Sequence, residues 1–305
     1  MKKTIMMIKK SVIADLSLLL VAFIWGSTFV IVQKAIHIMP PNFFNGIRFF
    51  AAAIILTIIC LMVNRSRPSK ETLLAGMALG SFLFLGYGFQ TVGLLYTTSS
   101  KTGFITGLSV IIVPLLSIWL LKDRARKTVY LASALGTTGL YLLTLSDFST
   151  MNLGDLLVLF CAIAFALHII FTGKFSGNHD AWMLTIVQLT TVSLLSFFAS
   201  GLFEAQAVKE NFRSMFTFDV LFALIITALF ATAFAFFVQT KLQQYTTAAR
   251  VALIYASEPV FAALTAFLYI GERLTSFGLI GCLLILSAMV VAEWKLDSGE
   301  KSLSS

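Results

Sequence analysis

Long apolar runs, each closed by a short polar stretch, recur along nearly the whole chain. They fall at about 12–33, 43–63, 72–95, 102–121, 128–146, 154–173, 182–203, 218–240, 249–270 and 276–294. An α-helix needs about 18–20 apolar residues to cross a hydrocarbon core at roughly 1.5 Å per residue. An open sheet cannot satisfy its backbone in lipid, and barrel strands would show short alternating segments instead of continuous runs. The pattern therefore predicts an all-α integral membrane protein with ten transmembrane helices. Most connectors are short. The longest, "EAQAVKENFRSMFTFD" at 204–219, predicts a brief interfacial helix with Phe212, Met215 and Phe216 turned toward lipid.

Composition agrees. Of 305 residues, 58% are hydrophobic and 12% charged, where a soluble domain carries about a quarter charged. The net charge of +8 does not point to nucleic acid, because Lys and Arg sit mostly in the short loops. With a cytoplasmic N-terminus, 16 of the 22 basic residues fall in inside segments and 5 outside, leaving Arg48 within a span. That bias predicts a multi-pass cell-membrane protein with both termini cytoplasmic. The opening "MKKTIMMIKK" and its long apolar run read as an uncleaved first span, since "WGSTFVIVQK" is a poor cleavage region. Cys60, Cys161 and Cys282 lie inside apolar runs and show neither disulfide nor metal-ligand spacing.

The chain also matches itself. At an offset of 140, "DLSLLLVAFIWGSTFVIVQK" (15–34) lies over "DLLVLFCAIAFALHIIFTGK" (155–174), aligning Asp15 with Asp155, Lys34 with Lys174 and Arg48 with Gln188. At an offset of 149, "YTTSSK" (96–101) lies over "YTTAAR" (245–250), and Asp123-Arg124 over Glu272-Arg273. Polar matches at both ends of two runs point to an internal duplication. Each copy holds five spans, an odd number, so the second enters the bilayer upside down. The expected organisation is a first repeat at 1–147, a second at 148–294 and a cytoplasmic tail at 295–305. Inverted repeats of this kind enclose a site near the midplane in secondary transporters.

"LLLVAFIWGSTFVIVQKAI", "GIRFFAAAIIL", "YTTSSKTGFITGLSVIIVPLLSIWL" and "YASEPVFAALTAFLYIGERL" resemble the drug/metabolite transporter superfamily, EamA type, over essentially the whole chain. The resemblance implies a secondary carrier that exports small organic solutes such as amino acids, metabolites or drug-like compounds. It also implies a central cavity lined by spans one, three, four, six, eight and nine. The chain departs from the pattern in places. Ser109 stands where the second half has Glu258, and Phe165-Ala166-Leu167 replaces Trp25-Gly26-Ser27.

Candidate residues follow from chemistry that apolar spans do not need. Glu258 sits mid-span, where an acid costs about 2.5–3.5 kcal/mol to insert. Pro259 beside it removes a backbone donor and frees the carbonyl of Tyr255. Glu258 is read either as a substrate-amine contact or proton carrier, or as a structural partner that pins the proline kink. Pro114 is the kink candidate of the first half. Arg48 reads as a topological residue whose stem snorkels to the headgroups, or as a carboxylate clamp, with Asn45 on its face. His168 reads as a packing histidine or a proton relay. Trp25 and Ser27 flank Gly26, and the ring suits either stacking on a solute or filling space. Tyr87 and Gln90 share one side of a glycine-softened helix. Tyr255 lies one turn before Glu258, and Gln239 near the inner end of span eight. No catalytic constellation, nucleotide-binding loop, metal site or cofactor site is present in the sequence. The partners expected are a small organic solute, protons as coupling ion and the lipid bilayer. The rival reading, a non-transporting membrane scaffold or sensor, would want a soluble signalling domain.

Overall fold

In the computed structural model, residues 2–63, 67–122, 127–144, 152–270 and 275–293 are described, and these residues contain no strand. The first half holds α1 (Lys2–Ile36), α2 (Pro41–Met62), α3 (Lys70–Gly93), α4 (Ser99–Gly107), α5 (Ser109–Leu121) and α6 (Lys127–Thr144). The second holds α7 (Leu153–Phe175), α8 (Ala181–Phe203), the short α9 (Ala205–Asn211), α10 (Phe218–Ile226), a π-helical stretch Thr227–Phe234, α11 (Ala235–Leu242), a 3₁₀ turn Gln243–Tyr245, α12 (Ala248–Tyr255), α13 (Glu258–Ile270) and α14 (Ser276–Glu293). Asp123-Arg124, the Gly271-Glu272-Arg273 motif and the tail at 295–305 lie outside the described residues.

Eight of the helical runs are long and apolar enough to span a bilayer. The two other expected spans, 128–146 and 276–294, are α6 and α14, which pack on each other along their length. In α14 the apolar run is shorter, Ser276–Val291. The protein is apolar outside and partly polar within. Phe203, Met62, Phe218 and Trp119 are each 78–82% exposed, whereas Asn45, Gln188, Thr232 and Gln243 are buried. Such a surface is stable against hydrocarbon, and the polar interior is hydrogen-bonded, as a membrane interior requires.

The helix starts follow local chemistry. Thr98 accepts the N–H of Lys101, and Thr247, 149 residues later, accepts that of Arg250. At the start of α7, Asn152 and Asp155 cap each other reciprocally. Expected spans four and nine are each interrupted within their length: α4 gives way to α5 at Leu108, and α12 to α13 at Ala256–Ser257. Pro259 stands as the second residue of α13, where its missing N–H costs little. Pro114 lies inside α5, six residues past the break, so it is not itself the interruption. Its ring frees the carbonyl of Val110, and the Ser133 hydroxyl from α6 donates to that oxygen at 2.9 Å.

Packing pairs the halves. α2 lies on α8, α3 on both α7 and α8, and α1 on α12 and α13, while α4 and α5 lie on α7. One expectation fails in the connector after α8. Met215 is 1% exposed and packs among Phe29, Ile36 and Phe44, whereas Phe212 and Phe216 are exposed. A methionine beside these apolar neighbours gains more from dispersion contacts than from lipid.

Candidate functional site

Where the broken helices meet, a cavity of about 50 Å³ opens between the halves. Ten of its lining residues form five pairs at the repeat offsets: Trp25 with Phe165, Tyr87 with Phe236, Gln90 with Gln239, Thr106 with Tyr255, and Ser109 with Glu258. The ring contacts are paired as well. Trp25 packs on Phe236 at 5.4 Å between centroids, and its offset partner Phe165 packs on Tyr87 at 5.1 Å. Trp25 also meets Tyr255 edge-on at 4.9 Å. These rings make an aromatic box, with edge-to-face geometry that favours rigid walls.

The box is held from behind. The Trp25 indole N–H donates to the Ala231 carbonyl at 2.8 Å, inside the π-helical stretch, and π-bulges of this kind often mark functional sites. Gly26 faces the first turn of α13, where a Cβ would strike the Glu258 carbonyl, the Ala262 amide and Phe261. The Trp25-Gly26 pair therefore does two jobs, supplying the cavity wall and letting α1 approach the Glu258 turn. Ser27 is half-buried, its hydroxyl has no partner among the described residues, and it does not line the cavity.

Polar groups converge on the cavity. The Glu258 carboxylate lines it and takes no hydrogen bond from a described residue. The Tyr255 hydroxyl and Gln239 Oε1 are buried without a partner among the described residues, and Gln239 Nε2 donates to Gln243 Oε1 at 3.2 Å. All three unpaired groups can accept hydrogen bonds. His168 also lines the cavity. Its Nε2 lies 3.0 Å from Gln188 Oε1 and 3.3 Å from Thr172 Oγ1, and Gln188 Nε2 donates to Thr240 Oγ1 at 2.9 Å.

Arg48 does not snorkel. It is 3% exposed and points inward, with Nε donating to Thr232 Oγ1 at 2.7 Å and the guanidinium lying 4.7 Å over the Tyr87 ring and 5.1 Å over Phe49. The face of α2 that carries it packs on the π-helical stretch, so the protein interior claims the side chain before the headgroups can. Arg48 lines a second, smaller cavity that shares Trp25, Tyr87, Gln90 and Glu258 with the first. A buried cation and a partly buried acid thus line adjoining cavities that have Tyr87 in common. Asn45 lines neither cavity. It donates to Thr91 Oγ1 at 2.9 Å and braces α2 on α3.

Of the sequence candidates, the structure gathers Trp25, Tyr87, Gln90, His168, Tyr255 and Glu258 at one cavity, and leaves Ser27 and Asn45 behind it. Sequence reasoning missed Thr106, Ser109's position at the wall, Phe165 and Phe236, and underweighted Gln239. The signal was available: the 149 offset set by "YTTSSK" over "YTTAAR" also lays Gln90-Thr91 over Gln239-Thr240.

The profile of the EamA-like transporter family matches the chain twice, over residues 12–145 and 152–293. The chain belongs to the EamA-like transporter family. A transporter of Archaeoglobus fulgidus described as uncharacterized is 36% identical over 94% of this chain and 88% of its own. A "probable amino-acid metabolite efflux pump" of Salmonella typhimurium is 25% identical over 90% of this chain and 92% of its own, and one of Escherichia coli with the same description is 26% identical over 90% and 92%. One solved crystal structure superposes with a TM-score of 0.74 at 18% identity, covering 92% of this chain and 96% of that one, which speaks to the fold. This EamA-family chain is accordingly a multi-pass membrane transporter of small solutes. Among its described residues, no three His, Cys, Asp or Glu side chains gather in a metal-ligating group.

Proposed function

We propose that the protein is a secondary carrier that exports small organic solutes bearing an amine, with Glu258 as the group that holds the amine and exchanges it for a proton. The observation that carries this reading is a carboxylate with no hydrogen-bond partner among the described residues, inside an aromatic box, beside two further acceptors at Tyr255 and Gln239 that are likewise unpaired among them. Three acceptors and several π faces suit an ammonium head on an apolar body. A carboxylate can hold a proton or an ammonium at one position but not both, which couples the two fluxes. Arg48, across Tyr87 in the adjoining cavity, would steady a solute carboxylate where one is present.

The transport cycle follows from symmetry. Two five-helix halves, 1–147 and 148–294, inverted in the membrane with both termini cytoplasmic, would rock about the cavity and open it to each side in turn. The twofold family match, the paired lining residues and the cross-half packing of α2 on α8 and α6 on α14 support this. Export from the cell, as the direction, and the cell membrane, as the location, rest on the relatives described as efflux pumps. A cavity of about 50 Å³ holds a few waters or a single small head group, so a whole solute requires the halves to part. The test compares extracellular and intracellular amines and amino acids in a deletion strain and an overexpressing strain. The carrier reading expects at least one such compound to move outward with expression. No difference for any amine or amino acid favours a scaffold role.

A further inference from the structure

Among the described residues two ion pairs join the halves, and they are images of one another. Lys101 Nζ in α4 lies 3.3 Å from Asp155 Oδ2 in α7. Arg250 Nη2 in α12 lies 2.7 Å from Asp15 Oδ2 in α1. Asp15 and Asp155 are 140 residues apart and Lys101 and Arg250 are 149 apart, the two offsets of the internal repeat. Each bond joins the first turn of a broken helix in one half to a helix of the other, Lys101 to the first turn of α7 and Arg250 to Asp15, thirteen residues into α1. The broken helices are those that carry Ser109 and Glu258 into the cavity wall.

The two pairs stand at opposite ends of the bundle. Asp155 opens α7, while Ile169, fourteen residues on, receives the Gln243 amide from the 3₁₀ turn that precedes α12. Fourteen helical residues span roughly 21 Å. Ile169 and Ile170 also share an apolar cluster with Leu18, Val21 and Ala248, the neighbours of Asp15 and Arg250 in sequence. One bridge therefore lies beyond the cavity on the α7 N-terminal side and the other on the α1 N-terminal side.

We propose that these four residues are the latches of the transport cycle. Lys101–Asp155 holds one mouth of the cavity shut and Arg250–Asp15 the other, so that each must part when the cavity opens on its side. Both are closed in this structure, which fits the small cavity. The latches differ in strength. Lys101 and Asp155 are buried, with side chains 6% and 4% exposed, and Asp155 also accepts from Thr97 and the Asn152 amide. Arg250 and Asp15 are 24% and 19% exposed and lie in a cleft of about 290 Å³ lined by Val12, Leu16, Leu253 and Met289, with Ser11 also reached by Arg250. Lys10 sits nearby over the Tyr245 ring. The unequal pair sets a resting bias: the α1 mouth opens more readily than the α7 mouth, since parting Lys101 from Asp155 must also break the cross-half Thr97–Asp155 hydrogen bond.

This inference rests on alternating access, but its test needs no solute, so a wrong solute class leaves it intact. Cys60, Cys161 and Cys282 are replaced by Ala and Ser109→Cys is introduced as a cavity probe. A membrane-impermeant maleimide is then applied to vesicles of each orientation. Lys101→Met removes the cation while leaving Asp155 its cap and Thr97 bonds. It should raise labelling roughly tenfold, within the range of ordinary conformational coupling, from the face nearer Asp155 only. Arg250→Met should do so from the opposite face only, and the swap Arg250→Asp with Asp15→Arg should return labelling toward the parent. Unchanged labelling in both variants, or a rise from the same face in both, overturns the latch. So does a fall in protein level and thermal stability without any change of sidedness, which is what a merely structural bridge predicts.

Discussion

The backbone of Gly26 in α1 lies directly against the carbonyl of Glu258 in α13, with no room for a Cβ between them. That approach sets the depth at which the acid enters the cavity, because α1 and α13 form one of the contacts between the halves. The atoms that a larger residue would meet are backbone O and N, which cannot swing aside as a side-chain tip can.

Gly26→Ala is therefore expected to lower stability by about 1–3 kcal/mol, the usual cost of overpacking. It should lower transport more than stability alone explains. Thermal unfolding in detergent, set beside flux at matched protein level, checks both parts.

Glu258→Gln keeps the shape and removes the charge. It should abolish transport that responds to a pH gradient and leave the fold intact, because no hydrogen bond from a described residue depends on the carboxylate. Glu258→Asp should retain part of the flux at a raised KM. If Glu258 only pins the helix break, the Gln variant will lose expression while its pH response stays.

Trp25→Phe keeps a ring in the box but removes the N–H that donates to Ala231. Losing a partly buried hydrogen bond costs about 1 kcal/mol, and more if the carbonyl goes unsatisfied. A modest fall in melting temperature is expected, together with a rise in KM as the ring loses its tether. Trp25→Ala should cost roughly 3–5 kcal/mol by opening a void beside Tyr255 and Phe236.

The two cross-half bridges should rank by burial. Asp155→Ala breaks the buried pair with Lys101, removes the acceptor of Thr97 and takes away half of the α7 capping box, so a loss of roughly 3–5 kcal/mol is expected. Asp15→Ala touches a pair about a fifth exposed, and a loss nearer 1 kcal/mol is expected. Equal losses, measured by thermal unfolding of the two variants side by side, would remove the asymmetry.

Much of this fold is written in hydropathy, because lipid rewards apolar length directly; eight of the expected spans stand as long apolar helical runs, some of them interrupted. The offsets that led the sequence reading to a duplication rest on polar residues, which rarely match by chance; the family profile matches twice, over 12–145 and 152–293, and the same offsets pair the cavity wall. What hydropathy hides is what happens inside a span. The break at Leu108 has no proline at the spot, and it persists while Ser133 satisfies the carbonyl that Pro114 frees further along. Which way Arg48 points was likewise invisible, since position along a helix gives depth but not the face that a neighbouring helix covers. Met215 went inward for the same reason: a connector's side chains follow the local packing, and Phe29 and Phe44 were there to receive it.

Purified protein reconstituted in liposomes, with uptake of a hydrophobic amine or amino acid measured with and without an imposed pH gradient, tests the central claim most directly. The account predicts solute movement that follows the proton gradient in the parent protein and is lost in Glu258→Gln. Gradient-driven flux of undiminished rate in Glu258→Gln would contradict it.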